Sequence, residues 1–457
     1  MSRRHSEPKY VYVNPVLKQM VNLYSQLFCK ETKRTRKKLI LSMIAMYYLR
    51  ACDSVRAMFN NFLKNQGLGG LTSFYYTINE AKLFTEEWQL NLIDMIFAKA
   101  IMPENPTLFF VTDDTLVEKF GDYFELLSLL HDHNSKNGSN YLKGHCFVTM
   151  VVLIPVVNDG KCVYVPIPMT HKMWDKESGV SKIKLAADMA LDIYNHLDGK
   201  YQVAFLCDSW YPKKEVLDLH KKYNIPMICA VRHDTALYEM PTPPKPGKRG
   251  PKPIRGRKLS KNLEEVFNFV EIADYDFLIG HKLVMTEIFG RTPCVAYATR
   301  SKNGGSINLF LATNNLDLSK FDLRFITNKQ MKALVAEHNV YIPFALYKFR
   351  WTIETMYYQL KSFWGFCDYK LRSYCGIQNL INIQTLMYAV TSIIPYISED
   401  FACLEHLSVQ ERRFQIGDLI QRLINYDGFA TELEKGDNSA ALVAKCEYHM
   451  ANQKLAV

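Results

Sequence analysis

The chain has 457 residues, of which 48% are hydrophobic and 22% are charged. These fractions are those of a globular protein and exclude general disorder, and the length predicts about three domains. The longest apolar runs, near Cys146–Val157 and Met387–Ile397, are too short to cross a membrane, and the N-terminus is too polar for a signal peptide. The eleven Cys include no Cys-x-x-Cys. Neither a zinc ribbon nor a disulfide framework is indicated, and a reduced cytoplasmic protein is expected.

The positive charge of the chain is concentrated in two segments. Residues 1–40 hold ten Lys and Arg and two Glu, a net charge of +8, and residues 245–261 hold eight Lys and Arg and no acid. The rest of the chain has a net charge of −6. Two basic segments in an otherwise slightly acidic chain suit a polyanionic partner that is bound at separate places.

Residues 1–104 are predicted to be helical. Apolar residues recur at three- and four-residue spacing in Pro15–Phe28, Arg36–Arg50 and Thr85–Ile101. Leu71–Asn79 is interpreted as a loop whose Thr or Ser caps a further helix. A plain helical bundle and a helix-turn-helix-like DNA reader are both compatible with this pattern.

From Thr107 onward the pattern becomes that of an α/β protein. Strands are predicted at Thr107–Thr112, His145–Val157, Cys162–Pro168, Gln202–Cys207 and Met227–Val231, and helices at Ser181–Leu197 and Lys213–Tyr223. The first strand is predicted to end at Asp113 and Asp114, and another strand ends at Asp208. Alternating strands and helices indicate a layered α/β fold, and strand ends are where such sheets usually place their chemistry.

Residues 241–261 interrupt the α/β pattern. They are rich in Pro and Gly and are predicted to be extended and solvated, because Pro disrupts helices and central strands. The segments that follow alternate like antiparallel strands: Val266–Ile272, Leu283–Phe289, Cys294–Thr299 and Ile307–Ala312. A helical pattern resumes near Asn328 and continues to the end.

Four side chains suited to phosphate chemistry occur at helical spacing. Tyr347, Arg350, Glu354 and Lys361 fall within roughly 60° of arc at about 100° per residue, so one helix face presents all four. Arg is a bidentate fork, Lys a point charge and Tyr a hydroxyl donor toward phosphate. The alternative is an amphipathic helix with Glu354 and Lys361 on a solvated edge.

The pattern Tyr-(2)-Arg-(3)-Glu-(6)-Lys resembles the Y-R-E-K signature of bacterial insertion-sequence transposases of the DDE class, in the hairpin-forming group that carries a β-rich insertion. The resemblance implies an α/β fold with an RNase H-like catalytic core, interrupted by the insertion and flanked by helical N- and C-terminal regions. The implied parts are a DNA-binding region at 1–104, the first part of the core at 105–231, the insertion at 232–339, a core helix at 340–371 and a region of possible dimerisation at 372–457.

In that family two Asp at strand ends join the Glu of the signature to bind two divalent metal ions. The resemblance gives these catalytic and metal-binding roles to Asp113, Asp208 and Glu354, with Mg²⁺ or Mn²⁺ as the ions. Asp113 is preferred because the family pattern is Asp-x-Thr, and Asp114 is the competing candidate. Two such ions, about 3.5–4 Å apart, stabilise the attacking and leaving oxygens of phosphoryl transfer, and they prefer carboxylate ligands.

The same resemblance implies that Tyr347, Arg350 and Lys361 hold phosphates near the scissile bond. The basic segment is expected to contact the DNA backbone in a salt-sensitive way, with a solvated linker as the alternative. Its candidate residues are Lys248, Arg249, Arg255, Arg257 and Lys258.

Other conspicuous residues are expected to have structural roles. Trp210 and Trp351 lie beside the candidate catalytic residues, and we expect both to pack against the sheet. The Cys residues are interpreted as small buried hydrophobes. Four polar residues could be considered as zinc ligands: His131, Asp132, His133 and His145. Their spacing matches no zinc-site template, so a structural role is expected.

The expected function is cut-and-paste transposition. The enzyme would cleave and join double-stranded DNA at the terminal inverted repeats of an insertion sequence, possibly through a hairpin. It would act as a homodimer in the cytoplasm, associated with the nucleoid and with no membrane partner. Two alternatives remain open: a metal-dependent nuclease on the same fold that lacks strand transfer, and a catalytically silent DNA-binding protein.

Overall fold

A computed structural model describes residues 15–50, 54–79, 83–132, 140–158, 160–242, 253–272 and 275–434 of the chain. Within these ranges the protein is a mixed α/β structure with thirteen α-helices and one eleven-stranded sheet. The sheet forms the centre of the molecule, and helices from both ends of the chain pack together beside it.

The first half of the sheet consists of β1 (Thr107–Glu118), β2 (Ser128–His131), β3 (Tyr141–Asn158), β4 (Lys161–Met173), β5 (Gln202–Cys207) and β6 (Met227–Val231). β3 is antiparallel to β1, β2 and β4, whereas β1, β5 and β6 are parallel to one another. Helix α6 (Lys182–Leu197) precedes β5, and α7 (Lys214–Tyr223) connects β5 to β6. The strands and helices predicted for this half are confirmed.

β1 is longer than its apolar run. The prediction that it ends at Asp113 is wrong, because the strand continues to Glu118. The continuation is stabilised by β3, which pairs with β1 as far as Glu118 opposite Gly144. Parallel pairing with β5, in contrast, ends at Val111 opposite Leu206. The acidic residues therefore begin where the parallel ladder stops.

The second half of the sheet consists of β7 (Leu237–Tyr238), β8 (Val270–Glu271), β9 (Phe277–Thr286), β10 (Cys294–Ser301) and β11 (Asn308–Thr313). β11 pairs antiparallel with β6, β10 with β11 and β9 with β10. The β-rich segment therefore extends the same sheet.

Two of the four strands predicted in this segment are wrongly placed. Around Val266–Ile272 the chain forms the short helix α8 (Leu263–Val266) and only the two-residue β8, because Asn262 caps the helix by accepting a hydrogen bond from Glu264 N at 3.2 Å. The strand expected at Leu283–Phe289 begins earlier, since β9 pairs with β10 from Phe277 onward.

The N-terminal helices are α1 (Pro15–Leu27), α2 (Lys33–Leu49), α3 (Val55–Asn61), α4 (Leu71–Ile78) and α5 (Thr85–Lys99). The helices predicted from apolar spacing are confirmed as α1, α2 and α5. Every residue of α2 from Lys38 to Tyr47 is buried, which is typical of the centre of a helical bundle.

The interpretation of Leu71–Asn79 as a loop is wrong, because this segment forms α4. Its Thr, Ser and Tyr residues have modest helix propensity, which favoured a loop. However, Phe74 and Ile78 lie one turn apart and are both buried. Packing of this pair stabilises a helix that local propensity does not predict.

The C-terminal helices α12 (Tyr374–Ile397) and α13 (Val409–Glu434) pack on the N-terminal ones. α12 lies against β4 and α5, and α13 lies against α2. The Tyr47 hydroxyl and Thr391 Oγ1 are 2.8 Å apart, and the buried Arg413 side chain donates hydrogen bonds to the carbonyls of Phe363 and Met46. The two ends of the described chain therefore form one helical body.

α12 is long and apolar enough to cross a membrane, and in this respect it is alone among the described helices. Yet 89% of its most apolar 18-residue window is buried inside the protein. This is the environment of a core helix in a soluble protein. Because α12 is buried within its own chain, its apolar surface is not open to a second subunit.

Three helices connect the sheet to this helical body: α9 (Lys329–Glu337), α10 (Ile342–Tyr347) and α11 (Trp351–Phe363). A 3₁₀ turn, Lys348–Arg350, joins α10 to α11, so the single helix predicted across this region is divided in two. The backbone is right-handed helical at Tyr347 and at Trp351, on either side of the turn.

Candidate active site

Asp113 on β1 and Asp208 after β5 are neighbours across the sheet. Each lies two residues past the last parallel pair, Val111 opposite Leu206. Asp208 is close enough for its charge to raise the pKa of Asp113. The structure thus brings together two of the three predicted catalytic residues.

The environment of both carboxyl groups disfavours the charged form. Burial raises the pKa of Asp113 to about 7, and the charge of Asp208 adds to the rise. Burial also raises the pKa of Asp208, although Trp210 N donates a hydrogen bond of 3.0 Å to Asp208 Oδ1. Two partly buried carboxyl groups with raised pKa values have little positive charge around them, and such groups are typical of functional sites.

Arg350 connects this pair to Glu354. Its Nη2 lies 2.5 Å from Glu354 Oε1 and its Nη1 lies 3.5 Å from Asp113 Oδ2. The guanidinium is mostly buried and lowers the pKa of Asp113, against the effect of burial. The three predicted catalytic carboxylates therefore lie close together. Arg350 contacts Glu354 and Asp113, and Asp208 lies beside Asp113.

The donor set suits a hard divalent cation, because it consists of carboxylate oxygens. The raised pKa values of the two Asp indicate a place where added positive charge would be favourable. Glu354 is engaged by Arg350, and within the described ranges no group of three His, Cys, Asp or Glu could hold a metal ion as the side chains stand. Asp113 and Asp208 could bind a cation as they stand. Glu354 could bind it only if its ion pair with Arg350 opened.

Asp114, the competing candidate, has a different environment from Asp113. Adjacent residues of a strand point to opposite faces of the sheet. Asp114 Oδ2 forms an ion pair of 2.7 Å with Lys182 Nζ, and Asp114 Oδ1 accepts a hydrogen bond of 3.1 Å from the Tyr211 hydroxyl. Its charge is already compensated, which makes it the less suitable cation ligand of the two.

Tyr347 and Lys361 lie at different distances from the acidic group. The Tyr347 ring packs against Phe310, with ring centroids 4.9 Å apart, and its pKa responds to Arg350 and Asp208. Lys361 Nζ instead donates a hydrogen bond of 3.0 Å to the carbonyl of Leu116 on β1. Tyr347 therefore adjoins Asp113 and Asp208, and Lys361 connects the C-terminal end of α11 to β1.

The described part of the basic segment is partly neutralised by acids. Arg255 Nη1 lies 2.7 Å from Glu287 Oε1, and Arg257 Nη2 lies 3.2 Å from Glu239 Oε1. Lys258 is exposed. Two further candidate residues, Lys248 and Arg249, fall outside the described ranges.

Part of the basic charge near the N-terminus also has a structural use. Arg36 Nη2 donates to the carbonyls of Cys29 at 2.9 Å and Glu31 at 3.2 Å. Lys38 is buried and its Nζ donates to the carbonyl of Ser73 at 2.9 Å. The net charge of this region therefore overstates the positive surface that it presents.

The expectation that Trp210 and Trp351 pack against the sheet is wrong. Trp210 is 49% exposed and Trp351 is 62% exposed. Trp210 follows Asp208 in a tight turn, and Lys213 Nζ lies 3.7 Å from the centroid of its ring. The signal that sequence reasoning passed over is position, because Trp210 lies two residues after the candidate residue Asp208 and Trp351 directly follows the candidate residue Arg350.

The suggested histidine cluster has a structural role as far as it is described. His145 is buried, with Nδ1 2.5 Å from the Tyr369 hydroxyl and Nε2 2.8 Å from the carbonyl of Glu125. His131 packs edge-on against Tyr141. His133 lies outside the described residues.

Comparison with known families identifies the class. Residues 179–390 match the family described as "Transposase DDE domain". This range includes Asp208 and Glu354 and begins after Asp113. This part of the chain is thus similar to a DDE transposase domain, and the match supports an enzyme that cuts and joins DNA.

Among solved structures, the chain is similar to a piggyBac transposase synaptic complex with hairpin DNA, determined by cryo-EM. The identity is 12% and the TM-score 0.42, over 96% of this chain and 83% of that one. The likeness is weak, and the assignment rests on the family match. No curated protein matches the chain significantly.

Proposed function

We propose that this transposase cleaves and joins DNA at the terminal inverted repeats of an insertion sequence, with Asp113, Asp208 and Glu354 as its catalytic carboxylates. The observation that carries the proposal is the partly buried pair Asp113 and Asp208, whose pKa values are both raised, together with Arg350, which contacts Asp113 and Glu354. The DDE domain match supports the same reaction class.

The proposed core is RNase H-like and comprises residues 105–231 and 340–371. The strand order β4, β3, β1, β5, β6, with β3 antiparallel to both of its long neighbours, supports it. Residues 232–339 are then the insertion, which enlarges the sheet from β6 outward. Residues 1–104 are the proposed DNA-binding region.

When bound, two Mg²⁺ or Mn²⁺ ions would supply a nucleophile at neutral pH and stabilise charge on the attacking and leaving oxygens. Asp113, Asp208 and Glu354 would be the residues that hold these ions. Asp114, already paired with Lys182, is left out of the set. Arg350 compensates the charge of the carboxylates, and its ion pair with Glu354 would have to open for that residue to hold a cation.

The proposed DNA contacts surround these carboxylates. Arg350 and Tyr347 adjoin the acidic pair and would bind the phosphates next to the scissile bond, with Lys361 further along α11. The exposed ring of Trp210, with Lys213 beside it, offers an aromatic surface and a cation at the same place, a combination that binds nucleic acid bases and backbone. Lys248, Arg249, Arg255, Arg257 and Lys258 would contact the DNA backbone further away.

We also propose that the enzyme acts as a homodimer in a complex with two DNA ends, in the cytoplasm and near the nucleoid. Burial of α12 means that a contact from residues 372–457 involves parts of that region outside α12. Light scattering of the protein with and without end DNA measures the assembly directly, and a monomer in both states would contradict it.

The test begins with the DNA that flanks the gene, whose inverted repeats would supply the substrate. Oligonucleotides carrying these ends are incubated with the full chain, Mg²⁺ or Mn²⁺ and a supercoiled target. We expect cleavage at the ends and joined product, and we expect Asp113→Asn, Asp208→Asn and Glu354→Gln each to abolish cleavage while end binding is retained. Lys172→Gln, at a partly buried residue that forms an ion pair with Glu86, is the control.

Each other outcome has a distinct meaning. Cleavage without joined product would favour the nuclease, and end binding without cleavage would favour the silent DNA-binding protein. A hairpin at the excised end would establish the hairpin route. Cleavage that survives one of the three substitutions removes that residue from the catalytic set.

A further inference from the structure

The Asp114 carboxylate receives donors from three separate elements. Lys182 Nζ, at the start of α6, lies 2.7 Å from Oδ2. The Tyr211 hydroxyl, in the turn after β5, donates to Oδ1 at 3.1 Å, and Cys146 Sγ on β3 donates to Oδ2 at 3.3 Å. One carboxylate therefore connects β1, β3, α6 and the turn after β5.

This turn is also the one that carries Asp208. Trp210 N donates to Asp208 Oδ1 at 3.0 Å, and Lys213 N donates to the Tyr211 carbonyl at 2.6 Å. Tyr211 is completely buried, so its ring anchors the turn in the core. Asp208 and Tyr211 thus belong to one short, internally bonded unit, just as Asp113 and Asp114 are neighbours on one strand.

The main chain alone does not hold Asp113 and Asp208 together. The parallel ladder between β1 and β5 ends at Val111 opposite Leu206, before both residues. Beyond that point two partly buried carboxyl groups lie close enough to affect each other, and like charges repel more strongly there than in bulk water. The Tyr211–Asp114 hydrogen bond spans the same gap one residue away and opposes the separation.

We propose that Asp114 and Tyr211 are positioning residues that fix the spacing of Asp113 and Asp208 for divalent cations, with Lys182 compensating the charge of Asp114. The proposal rests on the proposed function, because it assumes that Asp113 and Asp208 bind the ions. The proposal gives the two adjacent Asp residues different roles. Asp113 would bind the cation, and Asp114 would hold the surrounding elements in place.

The decisive variant is Tyr211→Phe, which removes one hydroxyl and keeps the buried ring. Its matched control is Tyr164→Phe, because the Tyr164 hydroxyl is also buried and donates to β1, at the Thr107 carbonyl 3.1 Å away and remote from the acidic pair. Mn²⁺ binding to the full chain is measured by electron paramagnetic resonance and calorimetry without DNA, and thermal unfolding is recorded for both variants.

We expect Tyr211→Phe to weaken Mn²⁺ affinity by about ten- to 100-fold, the range that is typical when a residue that supports a metal ligand is mutated. Cleavage should fall at low Mn²⁺ and recover at high Mn²⁺, while Tyr164→Phe binds Mn²⁺ like the wild type. Wild-type affinity in a folded Tyr211→Phe protein would overturn the proposal, and so would an equal loss in Tyr164→Phe.

If Tyr211→Phe does not fold, Lys182→Gln provides the second measurement, since it loosens Asp114 from the α6 side and should weaken Mn²⁺ binding in the same direction. Unchanged affinity in that variant would also count against positioning. Asp113→Asn separates this proposal from the proposed function. If Asp113→Asn still binds Mn²⁺ and cleaves DNA, the proposed function fails; if only Tyr211→Phe and Lys182→Gln behave like the wild type, the positioning role alone fails.

Discussion

The hydroxyl of Tyr357 on α11 donates a hydrogen bond of 3.0 Å to the main-chain carbonyl of Asp113 on β1. Glu354 lies three residues earlier on the same helix. This hydrogen bond therefore fixes the position of α11, and with it Glu354, along β1, the strand that carries Asp113. A helix and a strand that are more than 240 positions apart in the chain are thereby held in register at the site.

Tyr357→Phe tests the value of this bond. The hydroxyl is buried, and its loss leaves a carbonyl without its partner, so we expect a loss of about 1–2 kcal/mol in the free energy of unfolding. We also expect slower cleavage, because Glu354 is less firmly placed. Urea unfolding and the cleavage assay measure the two effects. Tyr358→Phe, at the neighbouring exposed position, is the control and should change neither.

Asp113→Asn should stabilise the cation-free protein at pH 8. The folded pKa of Asp113, about 7, lies above the ordinary value of 3.8, so folding loses free energy as the pH rises from about 4 to 7 and the loss is complete above 7. Removing this buried charge should raise the free energy of unfolding by about 1–3 kcal/mol.

Adding Mg²⁺ should reverse the order of stability. The ion should raise the melting temperature of the wild type and leave that of Asp113→Asn nearly unchanged, since a ligand stabilises only a folded state that binds it. Thermal unfolding at pH 8, with Mg²⁺ and with EDTA, measures both. Equal Mg²⁺ shifts in the two proteins would contradict the role of Asp113 as a ligand.

His171 should limit stability in acid. It is completely buried on β4, its Nε2 has no hydrogen-bond partner among the described residues, and burial lowers its pKa from 6.5 to about 3. Because the unfolded chain takes up a proton below about 6.5 and the folded one does not, stability is full above 6.5 and falls as the pH decreases toward 3.

At pH 5 the resulting loss is about 2 kcal/mol. His171→Gln keeps a polar group near Thr385 and removes the titration, so its stability should depend less on pH between 6.5 and 4. Urea unfolding across this range measures the slope. The same substitution at His196, which is paired with Asp94 near the surface, should leave the slope of the wild type in place.

Trp210→Ala should weaken end binding without loss of folding. The ring is half exposed beside Asp208, and stacking of a base on an aromatic ring contributes about 1–3 kcal/mol, which corresponds to roughly five- to 150-fold in affinity. Fluorescence anisotropy with end DNA measures the change. Tyr223→Ala, at an exposed aromatic residue where α7 ends, is the control. Wild-type affinity in Trp210→Ala would exclude a DNA contact by this ring.

Sequence reasoning predicted most of the regular elements, because long amphipathic helices and buried apolar strands carry strong periodic signals. It missed α4, where the burial of Phe74 and Ile78 outweighs weak local propensity, and it ended β1 too early, because pairing with β3 continues through polar residues. Both misses come from contacts between segments that are distant in the chain.

The sequence predicted which residues form the candidate site but not how they are arranged in space. The spacing of Tyr347, Arg350 and Glu354 pointed to one surface, and the structure brings Arg350 between Glu354 and Asp113. The role of Asp114 could not be predicted, since its partners Lys182 and Tyr211 become neighbours only when α6 and the turn after β5 pack on β1. Exposure of the two tryptophans likewise depends on tertiary packing.

The contact between Tyr47 and Thr391 has a consequence for how the enzyme is made. It closes a separation of 344 residues, so the first helices must wait for almost the whole polypeptide before their apolar faces are covered. Contacts of such long range fold late and leave partly made chains prone to aggregation. The first hundred residues are therefore a poor choice for separate expression, and the proposed recognition of DNA by them is best tested in the intact chain.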